Sequence, residues 1–462
     1  MADDDFDVLV LGAGSGGYAC ALRAAQLGLT VGLVEKGKLG GTCLHVGCIP
    51  TKALLHAAEV ADSARDASAF GVSATLDGID MAGVNAYKDK VVGRLFKGLA
   101  GLISSRGITV IEGEGRLTGP KTVTVGDTAY TGTSLVLASG SYSRSLPGLE
   151  VDGERVLTSE HALRLDRVPA SVIVLGGGVI GCEFASVWKS FGADVTIIEA
   201  LPRLVASEDE ASSKALERAF RKRKITSLTG TTFQSVKTTD TGVAVTVEGA
   251  NGEPSVIETE ILLVAVGRGP STDGLGYAEQ RIEMDRGFVL ADERCRTNVE
   301  GVYAVGDIVP GLQLAHRGFQ QGIFVAEDIA GLDPRPIDET GIPRVTYSHP
   351  EVASVGLNEA AARELHGDAV TTVTYDLGGN GKSQILQTQG FVKLVGLTDG
   401  PVLGVHMVGD RVGELIGEAQ LIYNWEAHAE DVAPLVHAHP TQSEALGEAH
   451  LALAGKPLHA HS

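Results

Sequence analysis

Several protein classes are excluded by what this sequence lacks. Its 462 residues include five cysteines, which are too few for a disulfide scaffold in a chain of this length. No stretch approaches the ~18 consecutive apolar residues that cross a bilayer, and residues 1–5 have neither the cationic start nor the apolar core of a signal peptide. Lysine and arginine are scattered and the formal net charge is -20, so attraction to nucleic acid or to an anionic membrane is not expected. We therefore expect a cytoplasmic protein that binds neither.

Glycine and apolar residues are abundant instead. The chain has 60 glycines and 44% hydrophobic residues, which is typical of a globular α/β protein with many tight turns. Its length exceeds that of one ordinary core, so two to four domains are expected. A disulfide in a reducing cytosol is usually transient and catalytic, and for that reason a close pair of cysteines becomes a candidate redox site.

The start of the chain has the pattern of a dinucleotide-binding βαβ unit. A strand, a glycine-rich turn and a helix are followed by a second strand that closes with Glu35. Gly12 allows the tight turn, Gly14 lets the backbone approach a pyrophosphate, and Gly17 lets the helix pack on the strand. The pyrophosphate would lie at the helix N-terminus, and Glu35 has the spacing of a carboxylate that binds ribose hydroxyls.

The same unit recurs at a constant offset of 164 residues. Its strand at residues 171–175 leads into Gly176, Gly178 and Gly181, and its second strand closes with Glu199. One glycine-rich turn is weak evidence because such turns are common, but two copies in register predict that the chain binds two dinucleotides.

A cysteine pair, Cys43 and Cys48, comes after the first unit. Residues 53–67 have helical composition, so Cys48 would lie near a helix start, where the helix dipole lowers the pKa of a thiol. The alternative is two reduced, buried cysteines, since free cysteine is a common core residue. The flanking residues favour a redox role.

These flanking residues resemble the active-site signature of the class I flavoprotein disulfide reductases, Gly-Gly-Thr-Cys-x-x-x-Gly-Cys-x-Pro-x-Lys. Further segments resemble this family in the same order along essentially the whole chain, with Ser139 replacing a threonine in the first of them. They are residues 135–141, 264–268, 297–307, 342–351 and 437–444.

The resemblance implies an α/β fold with two Rossmann-like dinucleotide-binding domains plus a C-terminal α+β dimerisation domain. It implies FAD and NAD as cofactors and a homodimer. The expected division is an FAD-binding domain (first part) at 1–147, an NAD-binding domain at 148–273, a central segment completing the FAD domain at 274–341, and an interface domain at 342–462.

The resemblance also implies catalytic roles. Cys43 would exchange with substrate, while Cys48 would lie against the flavin as a charge-transfer thiolate. Disulfide exchange requires a thiolate and hence a base, and His439 is the candidate because imidazole titrates near ~6.5. Glu444 would orient the ring and stabilise imidazolium. Among the 13 histidines, His437 is expected to be structural, and His459 and His461 in the tail to be solvated or disordered.

A second pair, Lys52 and Glu183, is expected from the same resemblance. A cation near the flavin stabilises the reduced, anionic ring, and a carboxylate makes its burial tolerable. Two unrelated surface charges are the alternative.

The cofactor contacts are implied by the same family pattern, in which Asp307 receives the ribityl chain of the flavin. The expected FAD contacts are Gly12, Gly14, Gly17, Glu35, Lys52, Gly115, Ser139, Gly140, Asp307 and Ala315, and the expected NAD contacts are Gly176, Gly178, Gly181, Glu199 and Gly267. Many relatives carry an acidic residue just after Ala315 where this chain has Gln320-Gln321, which leaves the local flavin contacts open. No metal is expected.

NAD rather than NADP is predicted because a carboxylate at Glu199 binds the 2′-hydroxyl and repels a 2′-phosphate. The nearest cation, Arg203, comes directly after a proline. Glutathione reductase and mercuric reductase both use NADPH, so they agree less well with this prediction.

Within the family, Cys-Leu-His-Val-Gly-Cys and His-x-His-Pro look most like the branch that oxidises protein-bound dihydrolipoamide to lipoamide and reduces NAD+ to NADH. That branch implies lipoyl domains and core subunits of 2-oxo acid dehydrogenase complexes as partners. Another low-molecular-weight disulfide reductase, such as mycothiol disulfide reductase, is the alternative. A catalytically idle flavoprotein subunit is a hypothesis of another class, and the intact Cys43, Cys48, His439 and Glu444 argue against it.

Overall fold

The computed structural model, which describes residues 5–459, divides into two units. One unit comprises the residues up to Leu54, Ala82–Arg144 and Gly267–Glu339, and the other comprises Leu55–Met81, Ser145–Val266 and the residues from Thr340 on. The finer division into four sequence segments stays a proposal.

The first unit is built on a parallel sheet that contains the first βαβ motif. Its strands, in spatial order, are Thr109–Glu112, Val31–Glu35, Asp5–Leu11, Thr128–Leu137 and Val302–Ala304. Antiparallel strands Gly115–Gly119 and Thr122–Val125 extend from Thr128–Leu137, and short antiparallel pairs join Ser141–Ser143 to Arg268–Pro270 and Met284–Asp285 to Phe288–Val289. The helices are Ser15–Gln26, Gly41–Val46, Met81–Ser105 and Ala315–Ile329, with a 3-10 turn at Gly306–Ile308.

Both faces of this sheet are buried, because successive side chains of a strand point to opposite faces. Val8 and Val10 of the strand Asp5–Leu11 pack into one core, together with the helix Ser15–Gln26. Leu9 and Leu11 pack into a second core on the other face. A nearly continuous apolar run is therefore what this strand requires, as in other parallel sheets.

The second unit contains a parallel sheet with the same plan. Its strands, in spatial order, are Ile225–Thr229, Asp194–Glu199, Ser171–Leu175, Ile261–Val264 and Val156–Leu157. An antiparallel meander comes next, of Thr232–Thr238, Val243–Glu248 and Pro254–Thr259, and the helices are Ser159–Ala162, Val179–Phe191 and Glu210–Lys222. The predicted pair of Rossmann-like folds is confirmed.

An antiparallel sheet with helices forms the C-terminal part of this unit, as the α+β prediction requires. Its strands, in spatial order, are Arg344–Thr346, Glu351–Gly356, Val402–Gly409, Phe391–Leu397 and Val370–Asp376. The helices are Glu359–His366, Gly381–Leu386, Val412–Asn424, Ala429–Val432 and Glu444–Leu453, with 3-10 turns at Gly367–Ala369 and Leu377–Gly379. The helix Cys48–Asp66 and the 3-10 turn Ala67–Phe70 complete the elements of the described residues. Across residues 5–459, no helix combines the length and apolarity needed to cross a membrane.

Candidate functional site

The first glycine-rich turn leaves an open space in front of a helix. Gly12 has a φ of +104°, and a Cβ there would lie 2.3 Å from the carbonyl oxygen of Ala138. A Cβ on Gly17 would lie 1.8 Å from the carbonyl oxygen of Gly12, whereas one on Gly14 would meet no described atom within 4 Å. No described side chain caps the helix Ser15–Gln26, and its first turn carries no acidic residue. Its N–H groups therefore suit a pyrophosphate.

The second glycine-rich turn repeats this geometry. Gly176 has a φ of +111° and would place a Cβ 2.3 Å from the carbonyl oxygen of Ala265. Gly181 would place one 1.9 Å from the carbonyl oxygen of Gly176, and Gly178 faces open space within the described part of the chain. Both turns thus fit the pyrophosphate of a dinucleotide.

The two closing carboxylates are held in the same way. Glu35 accepts hydrogen bonds from the N–H groups of Ala13 and Gly37, each at 2.8 Å. Glu199 accepts from the equivalent N–H groups of Gly177 and Leu201, at 2.6 and 2.7 Å. A carboxylate has about four acceptor sites, so each retains capacity for ribose hydroxyls.

Arg203 is directed to its own loop. Its Nη2 donates to the carbonyl oxygens of Ala206, at 2.7 Å, and of Glu208, at 3.2 Å. Binding a 2′-phosphate with Nη2 would break both of these bonds, which agrees with a preference for NAD.

The cysteine pair is built against the first glycine-rich turn. Cys43 lies on a short helix, Gly41–Val46, that the sequence analysis did not predict, and Cys48 is the first residue of Cys48–Asp66. The predicted helix is thus confirmed and begins earlier than residue 53. A Cβ on Gly41 would lie 2.7 Å from the Cα of Gly14. The close contact fixes the position of Cys43 relative to the pyrophosphate-binding turn.

The two thiols of the pair are hydrogen-bonded to each other. The hydrogen bond with Cys48, followed by burial and the negative charge of Cys48, raises the pKa of Cys43, while the positive charge of Lys52 opposes this rise. The raised pKa favours the protonated form of Cys43 in the reduced pair. Burial also raises the pKa of the other three cysteines, Cys20, Cys182 and Cys295, all of which are buried in the protein. Cys43 and Cys48, both partly exposed, are the thiols suited to chemistry.

Asp307 and its neighbours are held by hydrogen bonds that the sequence analysis did not predict. Its Oδ2 accepts a hydrogen bond from the hydroxyl of Ser141. Arg268 donates from Nε to that same hydroxyl at 2.7 Å and from Nη2 to the Ser141 carbonyl oxygen at 2.7 Å. The amide oxygen of buried Gln321 accepts from the N–H of Gly306 at 2.8 Å. Gln321 belongs to the Gln320-Gln321 pair that stands where many relatives carry an acidic residue. Its amide therefore holds the turn on which Asp307 lies.

The remaining expected FAD and NAD contacts of the chain are distributed among different environments. The Ser139 hydroxyl donates to the carbonyl oxygen of Ser271 at 2.6 Å. Gly140 and Gly267 have φ of +77° and +99° and face open space among the described residues. Ala315 begins the helix Ala315–Ile329. Gly115 differs from these, because a Cβ there would come within 2.9 Å of the side chains of the strand core, so close packing requires a glycine here, and its contact with FAD stays a prediction.

The C-terminal motif forms a histidine–carboxylate pair. The Nδ1 of His439 lies 2.8 Å from Oε1 of Glu444, whose Oε2 accepts from the N–H of Thr441 at 2.8 Å. Burial opposes ionisation of Glu444, but the Thr441 N–H and the His439 ring outweigh it and lower its pKa. A carboxylate only accepts, so Nδ1 carries the proton and Nε2 is left as a base. The His439 side chain is 78% exposed.

The other C-terminal histidines are held differently. His437 is 13% exposed and lies 2.8 Å from Oε1 of Glu418. His459 is largely exposed, as expected of a solvated residue, yet its ring and its N–H both contact the carboxylate of Glu448. His461 lies outside the described residues.

The predicted pairing of Lys52 with Glu183 joins residues of different units and stays a prediction. Glu183 is buried, and it accepts a hydrogen bond from the N–H of Tyr347 at 3.0 Å. No cluster of histidine, cysteine and acidic side chains that could hold a metal ion occurs between residues 5 and 459.

Comparisons with known proteins cover nearly the whole chain. Residues 6–322 match the family model of the pyridine nucleotide-disulphide oxidoreductases, and residues 342–450 match the dimerisation domain of that family. Dihydrolipoyl dehydrogenase of Bacillus subtilis is 41% identical over 98% of this chain and 99% of that relative, and the enzyme of the same name from Chlorobaculum parvum is 42% identical over 96% of each. Leghemoglobin reductase of Vigna unguiculata is 38% identical over 99% of this chain and 89% of the relative.

A solved structure has the same fold. The crystal structure of LpdA from Mycobacterium tuberculosis superposes with a TM-score of 0.89 at 26% identity, covering 96% of this chain and 99% of that protein.

Proposed function

Because the chain belongs to the pyridine nucleotide-disulphide oxidoreductase family and is an FAD- and NAD-dependent disulfide oxidoreductase, we propose that it oxidises protein-bound dihydrolipoamide to lipoamide and reduces NAD+ to NADH. The observation that carries the proposal is the thiol pair Cys43 and Cys48, set against the first glycine-rich turn. The relatives named above favour dihydrolipoamide over a mycothiol disulfide as substrate.

Two cofactors would occupy the two glycine-rich turns. FAD would be held by Gly12, Gly14, Glu35 and Asp307, the last of which is positioned by Ser141. NAD would be held by the second turn and by Glu199. A cationic Lys52 with Glu183 as its partner would favour the reduced, anionic flavin ring.

The reaction begins with His439 acting as a base. Its Nε2 takes a proton from one substrate thiol, because only a thiolate attacks a disulfide. That thiolate bonds to the sulfur of Cys43, and the Cys43–Cys48 bond breaks with its electron pair leaving on Cys48.

The second substrate thiol completes the oxidation. It loses its proton to solvent and attacks the substrate sulfur of the mixed disulfide, so that lipoamide leaves and the Cys43 thiolate takes the proton held by His439. The products are lipoamide, a Cys43 thiol, a Cys48 thiolate and one released proton. This charge distribution agrees with the raised pKa of Cys43. Bound FAD supplies the redox chemistry that passes the two electrons to NAD+.

A homodimer is part of the proposal, since residues 342–450 match a dimerisation domain. The partner chain would cover the exposed His439 and receive it next to its own disulfide. Lipoyl domains and core subunits of a 2-oxo acid dehydrogenase complex are the proposed partners, and the cytoplasm is the proposed location.

A steady-state assay tests the substrate and coenzyme together. The protein is assayed with dihydrolipoamide and NAD+ or NADP+, and in the reverse direction with lipoamide, mycothiol disulfide and glutathione disulfide. We expect turnover with dihydrolipoamide and NAD+ to exceed every other pair. Faster reduction of another disulfide would overturn the substrate, and no turnover with any pair would favour an idle flavoprotein.

A further inference from the structure

The loop that carries His439, residues 437–443, lacks regular secondary structure and depends on side-chain contacts for its position. Inside the loop, the Thr441 hydroxyl donates to the carbonyl oxygen of Ala438 at 2.7 Å. Glu444 holds the ring of His439 but comes from the helix directly after the loop. These local contacts set the orientation of the ring, and other elements must fix where the backbone lies.

One outside contact is made by Glu418, on the helix Val412–Asn424. Its Oε1 lies 2.8 Å from Nε2 of His437, and the ring of His437 lies against the helix Glu444–Leu453. A Cβ on Gly447 of that helix would come within 2.7 Å of Nδ1 of His437. Since a carboxylate only accepts, Nε2 of His437 donates and the ring is fixed between two helices.

A second outside contact is made by Asn380, which is 3% exposed. Its Nδ2 donates to the carbonyl oxygen of Thr441 at 3.0 Å. Its Oδ1 accepts from the N–H of Ser383 at 2.9 Å and from the Ser383 hydroxyl at 3.0 Å. Both ends of the amide are occupied, so its orientation is determined.

We propose that Glu418, acting through His437, and Asn380, acting through Thr441, are positioning residues that hold the backbone on either side of His439. The inference rests on the proposed function, in which His439 is the base. A displacement of about 1 Å in a reacting group can slow a reaction by roughly 100-fold, so a base on an exposed loop needs such contacts. Glu444 sets the tautomer of the ring, while Glu418 and Asn380 set the place of its backbone.

The two half-reactions of the holoenzyme distinguish this role from general stabilisation. Reduction of the enzyme by dihydrolipoamide requires His439, whereas reduction by NADH at the second glycine-rich turn does not. Loss of a positioning contact should therefore slow the first half-reaction and leave the second unchanged. A loss of overall stability would affect both.

Rapid-mixing measurements of both half-reactions, with the melting temperature of each variant, test the proposal. Glu418→Ala should slow reduction by dihydrolipoamide by about 10-fold or more. Glu418→Gln keeps an acceptor oxygen for His437 and should retain more than half of the wild-type rate. Asn380→Asp keeps the acceptor for Ser383 but loses the donor to Thr441, so it should behave like Glu418→Ala and serves in its place should that variant not fold.

A matched control comes from the same domain. Glu448→Ala removes a histidine–carboxylate contact of 2.7 Å, to His459, on the helix that begins with Glu444, and should leave both half-reactions at the wild-type rate. Wild-type rates of reduction by dihydrolipoamide in Glu418→Ala and Asn380→Asp would overturn the proposal, as would an equal slowing of both half-reactions.

A reference variant separates this inference from the function on which it rests. His439→Gln should slow reduction by dihydrolipoamide more than any positioning variant. If His439→Gln keeps the wild-type rate, the assigned base is wrong. If it is slow while Glu418→Ala and Asn380→Asp are not, only the positioning role is wrong.

Discussion

The two βαβ motifs share the geometry of their glycine-rich turns and closing carboxylates. They differ in the segment that follows their second strand. Glu35 and Glu199 make the same pair of backbone contacts, 164 residues apart. After Glu35 the chain returns to its own glycine-rich turn, where the N–H of Gly40 donates to the carbonyl oxygen of Ala13 at 2.8 Å, and then presents the cysteines. After Glu199 the chain returns to its glycine-rich turn as well, where the N–H of Val205 donates to the carbonyl oxygen of Gly177 at 2.9 Å, but it presents no cysteine and instead holds Arg203 against backbone carbonyls. The shared part suits a dinucleotide, and the segment after it determines the chemistry.

The largest expected effect comes from the cysteine segment, which only the first unit has. Cys48→Ser should lower dihydrolipoamide turnover by roughly 10³-fold or more while FAD stays bound, because the nucleophilic pair is lost but the Gly12 turn is kept. Cys182→Ala, which removes a buried thiol of the second unit, is the control and should keep its turnover. Turnover and the flavin absorbance of the purified proteins measure both. An apoprotein, or wild-type turnover in Cys48→Ser, would contradict the role of Cys48.

Replacing glycine by alanine in each of the two glycine-rich turns should show which turn binds FAD and which binds NAD. Alanine at Gly12 or at Gly176 places a Cβ about as close to a carbonyl oxygen in either unit and strains a positive φ, which weakens binding by ~10-fold or more. Gly12→Ala should be purified with less FAD. Gly176→Ala should keep its FAD and need more NADH for reduction. Loss of FAD from Gly176→Ala alone would show that the assignment of the two turns is reversed.

A change in coenzyme preference, with no loss of FAD, is expected from the closing carboxylate of the second unit. Glu199→Ala removes an acceptor for the 2′-hydroxyl and a repulsive charge, so it should shift the ratio of kcat/KM for NADPH and NADH toward NADPH. A shift of a few kcal/mol is the upper range for a site built to bind a hydroxyl. Glu35→Ala, which has the same geometry in the first unit, should leave this ratio unchanged. If the ratio of kcat/KM for NADPH and NADH is the same in both variants, Glu199 does not bind the ribose.

The smallest effect is expected at Arg203. Its guanidinium is bound to Ala206 and Glu208, so Arg203→Ala should change the same coenzyme ratio by less than about 2-fold, well under the discrimination that a direct polar contact provides. The assay is that used for Glu199→Ala. A marked further loss of NADPH activity would show that Arg203 turns toward the coenzyme.

Sequence reasoning predicted the local features well. The positive φ of Gly12 and Gly176 and the helix beginning at Cys48 depend on neighbouring residues, and each leaves a pattern that can be read along the chain. The helix Gly41–Val46 was missed because it is short and begins with glycine, a poor helix former.

Contacts between distant residues could not be predicted in the same way. Ser141 meets Asp307 across 166 positions, and Asn380 meets Thr441 across 61. Serine and asparagine occur throughout the chain, and only the packing of sheets and helices selects these particular pairs. For Gly115, core packing explains why the residue is a glycine, and its contact with FAD stays a prediction.

The central claim is that Cys48 and His439 serve one dithiol reaction in sites shared between two chains, and subunit complementation tests it most directly. Subunits carrying Cys48→Ser are mixed with subunits carrying His439→Ala, exchanged under mild denaturant and assayed for lipoamide reduction. Each heterodimer would contain one site with both defects and one with neither, so activity should return to about half of the wild-type value per heterodimer. Heterodimers that form but stay as inactive as the parent variants would contradict the claim.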